Sequence, residues 1–154
     1  MATTRPARAA DVAAVRHLVQ AAYGHYPPIL GVTPAPLTAD YAALVEAGHV
    51  HVAEQDGTVV GVLVLEAHPD HLLVENLAVA PDAQGQGVGS TLLALAEQQA
   101  EQQGLSELRL YTHERMTDNL AYYPRRGYVE THRSDDGTFH RVHFAKQVSS
   151  TSSR

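Results

Sequence analysis

Apolar positions follow two periods along this chain. Val12, Val15, Leu18, Val19 and Ala22 recur at helical spacing behind Asp11, a suitable N-cap, and predict a helix that fades near Tyr23-Gly24. A short strand over residues 2–6 precedes it. Residues 23–36 hold four prolines and two glycines and read as a long loop. Thr38 predicts the N-cap of a second helix running to about Ala47, with Gly48 as its stop. Strands His49–Gln55 and Thr58–Ala67 flank Asp56-Gly57, a two-residue hairpin signal. The second of these strands is apolar on both faces and so belongs in the middle of a sheet. A fourth strand, Leu72–Ala80, ends at Pro81. The stripe Leu92, Leu93, Ala96 and Ala100 predicts a helix over Val88–Gln103, stopped by Gly104. Then come a strand over Glu107–Thr112, a helix over Thr117–Arg126 stopped by Gly127, and a hairpin of Tyr128–Arg133 and Phe139–Lys146 across Asp135-Asp136-Gly137. The expectation is an α/β fold with a mixed sheet of about seven strands, one domain over residues 1–147, and a disordered Ser/Thr-rich tail over 148–154.

Between the fourth strand and the long helix lies Gln84-Gly85-Gln86-Gly87-Val88-Gly89-Ser90. A helix start presents unpaired N–H groups and the positive end of the helix dipole, and glycines clear side chains from it, so this turn is a candidate phosphate cradle. A P-loop needs a lysine after its last glycine, and Gly89 is followed by Ser90-Thr91. The dinucleotide fingerprint needs G-x-G-x-x-G early in the chain; this turn has G-x-G-x-G past its middle.

The stretch Gln84–Gly89 fits Q/R-x-x-G-x-G/A and resembles the pyrophosphate loop of the GNAT superfamily of acyl-CoA-dependent N-acyltransferases. The element order β-α-α-β-β-β-α-β-α-β-β resembles that fold over almost the whole chain. The resemblance implies acetyl-CoA as acyl donor, bound by Gln84, Gly85, Gln86, Gly87, Val88, Gly89 and Ser90. It also implies a bulge in the fourth strand that splays it from the fifth, with the backbone of Leu77, Ala78 and Val79 facing the pantetheine arm. Asn119-Leu120-Ala121-Tyr122-Tyr123-Pro124-Arg125-Arg126-Gly127-Tyr128 is similar to the family pattern N-x-x-x-Y-x-x-x-G-F/Y. The resemblance makes Tyr123, four residues before Gly127, and not Tyr122, the candidate acid toward the departing thiolate; the alternative is a core tyrosine. Asn119 either bonds the cofactor or caps its helix. Pro124 departs from the pattern and disfavours helix at Tyr123.

Amine acetylation also needs a proton acceptor. Glu75 lies on the Leu73-Leu77-Val79 face of a strand expected to be buried, which would raise its pKa; a structural carboxylate is the equal alternative. Asn76 points the other way. Tyr23, Tyr26, Glu75 and Asn76 are the candidate acceptor-binding residues.

Composition narrows the field further. The 154 residues are 44 % hydrophobic and 18 % charged, with no cysteine, which excludes thiolate catalysis and disulfides. A net charge of −6 argues against nucleic acid as partner. Arg125-Arg126 reads as a solvated helix end. No apolar run suits a bilayer, and no secretory h-region is present, so a cytoplasmic protein without membrane contact is expected. The ten histidines show no metal-ligand spacing. The expected function is acetyl transfer to a primary amine of a small molecule or a peptide terminus. The alternatives are an acyl-CoA-binding sensor of the same fold without turnover and a nucleotide-binding regulatory module. The oligomeric state stays open, a homodimer among the options.

Overall fold

A computed structural model of the chain describes residues 2–31, 33 and 35–148. Seven strands form one mixed sheet: β1 (Thr3–Pro6), β2 (Val50–Gln55), β3 (Thr58–Ala67), β4 (Leu72–Val79), β5 (Glu107–His113), β6 (Val129–Asp135) and β7 (His140–Gln147). Their spatial order is β1-β2-β3-β4-β5-β7-β6, and only β4 and β5 run parallel. The Asp56-Gly57 turn joins β2 to β3 with both residues at positive φ, 52° and 78°, the geometry a two-residue hairpin demands.

Helices cover both faces. On one, α1 (Val12–Tyr23) and α3 (Tyr41–Glu46) pack Val15, Val19 and Tyr41 against Val52, Val62 and Val64 of the sheet. On the other, α4 (Val88–Gln102) sets the expected stripe Leu92, Leu93, Ala96 and Ala100 against Leu63, Leu65 and Leu108. Gly61 lets α4 come close: a Cβ there would stand 2.8 Å from Leu92 Cδ1 and 2.8 Å from Val88 Cγ1.

Several expectations are corrected. The segment after α1 is not all loop, because Tyr26–Leu30 forms a helical turn and a half (α2), with Pro27 and Pro28 in the first turn where proline is tolerated. The second helix is capped by Asp40, whose carboxylate accepts the Ala43 N–H at 3.1 Å, and not by Thr38. Asp11 holds the N-cap position of α1 as expected but makes no side-chain bond to that helix; its carboxylate accepts the Arg8 N–H at 2.7 Å, in the capping box of the 3-10 turn over Ala9–Asp11, and pairs with Arg5 at 2.7 Å. The helix α5 (Thr117–Tyr122) gives way to a 3-10 turn over Pro124–Arg126, as a proline without an N–H requires. Val148, placed in the tail by its sequence, is buried and donates its N–H to Ser106 O at 2.8 Å; the rest of the expected tail, 149–154, lies outside the described residues. Among the described residues no helix is long and apolar enough to cross a membrane.

One irregularity shapes everything that follows. Val64 lies opposite Asn76 and Leu65 opposite Val74, so Glu75 is the extra residue of a β-bulge. Beyond it β4 leaves β5: the two strands pair only at Leu72 with Leu108 and Leu73 with Arg109.

Candidate active site

The gap between β4 and β5 holds two clefts that meet. The first, about 1440 Å³ and open to solvent, runs from the gap to the start of α4. The Ala80 N–H donates to Val60 O at 2.9 Å. Bonding alternates along an antiparallel ladder, so Ala78 bonds β3 while Leu77 and Val79 turn their N–H and C=O groups into the gap. Tyr23 occupies one of these, donating its hydroxyl to Leu77 O at 2.9 Å. Of the backbone trio read from the sequence, Ala78 thus faces its strand partner.

At the other end, Gly87 precedes α4 with φ of 84° and no side-chain cap, which leaves the helix's first N–H groups free of side-chain partners. Gly85 sits at φ of 81°, and a Cβ on either glycine would meet nothing within 4 Å. This is open backbone at the positive end of a 15-residue helix, a suitable seat for the pyrophosphate of a coenzyme. Gln84, Val88 and Ser90 line it as well. Gln86 does not; its side chain points back to Asp82 O. Gly89 makes room instead for the Tyr122 hydroxyl, against which a Cβ would collide. Arg126, read from sequence as a solvated helix end, reaches this cleft. Its guanidinium stacks 3.6 Å over the Tyr122 ring and its Nε donates to Ser90 Oγ at 3.3 Å. The basic pair was visible in the sequence, but only the 3-10 turn at Pro124 aims Arg126 toward α4.

The second cleft, about 720 Å³, lies between β4 and β5 under α2 and beside Arg141 of β7. Tyr23, Leu77, Asn119 and Tyr123 line both clefts and mark their junction. Tyr26, expected beside the acceptor, lines the first cleft only. Asn119 donates to Thr112 Oγ1 at 3.0 Å and spans from α5 to β5.

Tyr123 keeps a helical conformation, φ −68° and ψ −42°, in spite of Pro124. Its ring is buried among Tyr122, Tyr128 and Phe144. Burial raises its pKa, so the phenol stays protonated throughout the neutral range. Tyr122 lines only the first cleft.

Glu75 and Asn76 exchange the roles their strand positions suggested. The bulge exposes Glu75 and turns Asn76 inward, where it is 7 % exposed. Glu75 is therefore not buried on a face shared with Leu77 and Val79. Its pKa is still raised, chiefly by partial desolvation and then by the charge of Glu66, with His49 and His68 opposing. Among the described residues no group of three or more His, Asp or Glu side chains is arranged to hold a metal. His113 and Arg141, neither of them marked as a site residue by any local sequence pattern, also line the second cleft.

Residues 13–128 match the family described as the acetyltransferase (GNAT) family. The chain is similar to an aminoalkylphosphonate N-acetyltransferase of Salmonella typhimurium, 36 % identical over 90 residues that cover 54 % of this chain and 58 % of that protein. It is similar also to a mycothiol acetyltransferase of Streptomyces coelicolor, 35 % identical over 86 residues, 54 % of this chain and 28 % of that one. The chain thus spans little more than half of one relative and under a third of the other. Among solved structures, the PaiA N-acetyltransferase of Thermoplasma acidophilum in complex with coenzyme A superposes with a TM-score of 0.82 at 16 % identity, covering 96 % of this chain and 99 % of that one. The ribosomal-protein-S18-alanine N-acetyltransferase of Escherichia coli gives 0.76 at 22 % identity, over 97 % and 95 %. At those identities the likeness is one of fold.

Proposed function

The chain belongs to the GNAT family of acetyltransferases, and from that premise we propose that it transfers an acetyl group from acetyl-CoA to a primary amine by direct attack. The observation that carries the reading is the junction of the two clefts at Tyr23, Leu77, Asn119 and Tyr123. One cleft ends on an uncapped helix start suited to a pyrophosphate; the other is a largely apolar chamber with a few polar side chains, Glu75, Asn76, His113 and Arg141 among them, suited to a small acceptor. The names of the relatives support a small-molecule acceptor over a protein terminus.

Bound acetyl-CoA supplies the thioester. The free N–H groups at the start of α4 hold its pyrophosphate, with Arg126 alongside, and the Leu77 and Val79 backbone lines its path toward the junction. In the second cleft Glu75 accepts a proton from the entering ammonium, directly or through water. The amine lone pair then forms the C–N bond as the C–S bond breaks; Tyr123 gives its proton to the sulfur, and the proton left on the acylated nitrogen passes through solvent to the Tyr123 phenolate. The absence of cysteine agrees with transfer that has no acyl-enzyme step.

The test is amine-dependent thiol release from acetyl-CoA across amino acids, aminophosphonates, polyamines, aminoglycosides and peptides, beside calorimetry with CoA, ATP and NAD. Micromolar CoA binding and release with at least one amine is the expected result. Stoichiometric CoA binding without release from any amine would make the chain a sensor. Preference for ATP or NAD would remove the coenzyme assignment.

A further inference from the structure

Two residues that line the second cleft each carry a buried polar atom without a hydrogen-bond partner among the described residues, Asn76 Oδ1 and His113 Nε2. Their chemistry is fixed by what their other atoms do. The Tyr41 hydroxyl donates to Pro36 O at 2.7 Å, so it can only accept from Asn76, and the atom 3.0 Å away is the amide Nδ2. Asn76 Oδ1 is therefore the free end, an acceptor. His113 Nδ1 accepts the Arg115 backbone N–H at 3.1 Å. In the neutral ring the proton must then sit on Nε2, which makes the free end a donor. Both residues are more than nine-tenths buried, where an unpaired polar atom is costly unless a ligand or water completes it.

The charged groups divide in the same way. Glu75 stands beside Asn76 on β4, and Arg141 stands opposite His113 in the β5–β7 register. The Arg141 guanidinium is held over the rings of Tyr111 and Phe139, at 4.9 and 4.8 Å, and its nearest carboxylate is the exposed Asp136 at 3.5 Å. Leu73 lies beside Arg109 and Glu75 is an extra residue, so Asn76 falls about level with Tyr111, two residues before His113 on β5. Acceptors thus line the β4 wall and donors the β5–β7 wall, across a gap wider than the roughly 4.8 Å between paired strands.

We propose that the acceptor is a short primary amine bearing an anionic group, carboxylate or phosphonate, with its ammonium on Glu75 and Asn76 and its anion on His113 and Arg141. This rests on the acetyl-transfer reading for the role of the site, but amine recognition can be measured without turnover.

Dissociation constants of 2-aminoethylphosphonate, β-alanine and ethanolamine are to be measured by calorimetry on the chain alone and with excess CoA. At least one of the two anionic amines is expected to bind at least 10-fold more tightly than ethanolamine, and the better of them identifies the acid. Arg141→Gln should cut that ratio about 10-fold, and Arg141→Lys should restore part of it; His113→Phe should cut it by a similar factor. Circular dichroism confirms that each variant is folded. Equal affinity for all three amines, or an equal loss for all three in Arg141→Gln, overturns the proposal. Anionic preference without thiol release would sustain it and remove acetyl transfer, and thiol release from neutral amines without that preference would do the reverse.

Discussion

Removing the Tyr123 hydroxyl separates a catalytic role from a packing role. Of the tyrosines around the site, Tyr23 and Tyr41 commit their hydroxyls to the carbonyls of Leu77 and Pro36. No hydrogen bond contributes to the state of the Tyr123 phenol, which is governed by burial. Tyr123→Phe keeps the ring against Tyr128 and Phe144 and deletes an oxygen that bonds nothing among the described residues, so folding stability should change by less than about 1 kcal/mol. For a domain of this size that is a melting shift below about 4 °C. If the hydroxyl protonates the leaving thiolate, its loss should slow turnover by about 10²- to 10⁴-fold, which is about 3–5 kcal/mol of barrier.

The assay is thiol release under saturating acetyl-CoA and acceptor, with CoA affinity and melting measured on the same preparation. Tyr122→Phe is the comparison: that ring stacks under Arg126 and lines only the coenzyme cleft, so its change belongs in CoA affinity. An unaltered rate in Tyr123→Phe would refute the acid assignment. A large melting loss with a proportionate rate loss would leave Tyr123 as core.

Glu75→Gln should lower kcat/KM by at least about 10-fold; the raised pKa of Glu75 means its base form fills at a higher pH than that of an ordinary glutamate, so the variant should also lose the acidic limb of the pH–rate profile. Gly87→Val places a side chain on a backbone at φ of 84° and should abolish CoA binding at a folding cost of about 1–3 kcal/mol, checked by calorimetry beside urea unfolding. Arg126→Gln removes the cation beside Ser90 and should weaken CoA about 10-fold, less at high salt, as a salt titration of the dissociation constant would show. Asp11 is held at a pKa of about 2 by Arg5 and the Arg8 N–H, below its ordinary 3.8, so it stabilises the fold above pH 4 and loses that contribution as pH falls toward 2. Asp11→Asn should cost about 2 kcal/mol at pH 7, with the difference in urea midpoints closing between pH 4 and 2.

The regular elements were legible because their signals are local. The α4 stripe, the Asp56-Gly57 turn and the apolar run of β3 each fix an element within a dozen residues. The glycine turn before α4 was legible for the same reason, as three glycines at a strand-to-helix junction have few other uses. What escaped was set by distant pairing. Arg141 and His113 meet because β7 lies against β5 in one register, and nothing within either segment marks them. The α2 turn was hidden by Pro27 and Pro28, which forbid helix interiors but not helix starts.

Glu75 and Asn76 show how one backbone event can invert a residue reading that was otherwise well founded. Strict alternation puts Glu75 on the same face as Leu73, Leu77 and Val79, and predicts a buried base. Inserting one extra residue breaks the alternation at that point: Val74 before the bulge and Leu77 and Val79 after it pack toward the α4 layer, while Ala78 packs with α1 and Asn76 bonds Tyr41. The same insertion carries β4 away from β5 after Leu73, which frees Leu77 and Val79 to face the gap and opens the clefts at all. The exposed carboxylate, the buried amide and the coenzyme-facing backbone are thus one feature. A variant that deletes Glu75, as opposed to replacing it, should restore pairing of β4 with β5 and close the gap. It should lose CoA binding as well as turnover while retaining a cooperative unfolding transition, an outcome that Glu75→Gln cannot produce. Tight CoA binding in the folded deletion variant would show that the bulge does not hold the strands apart.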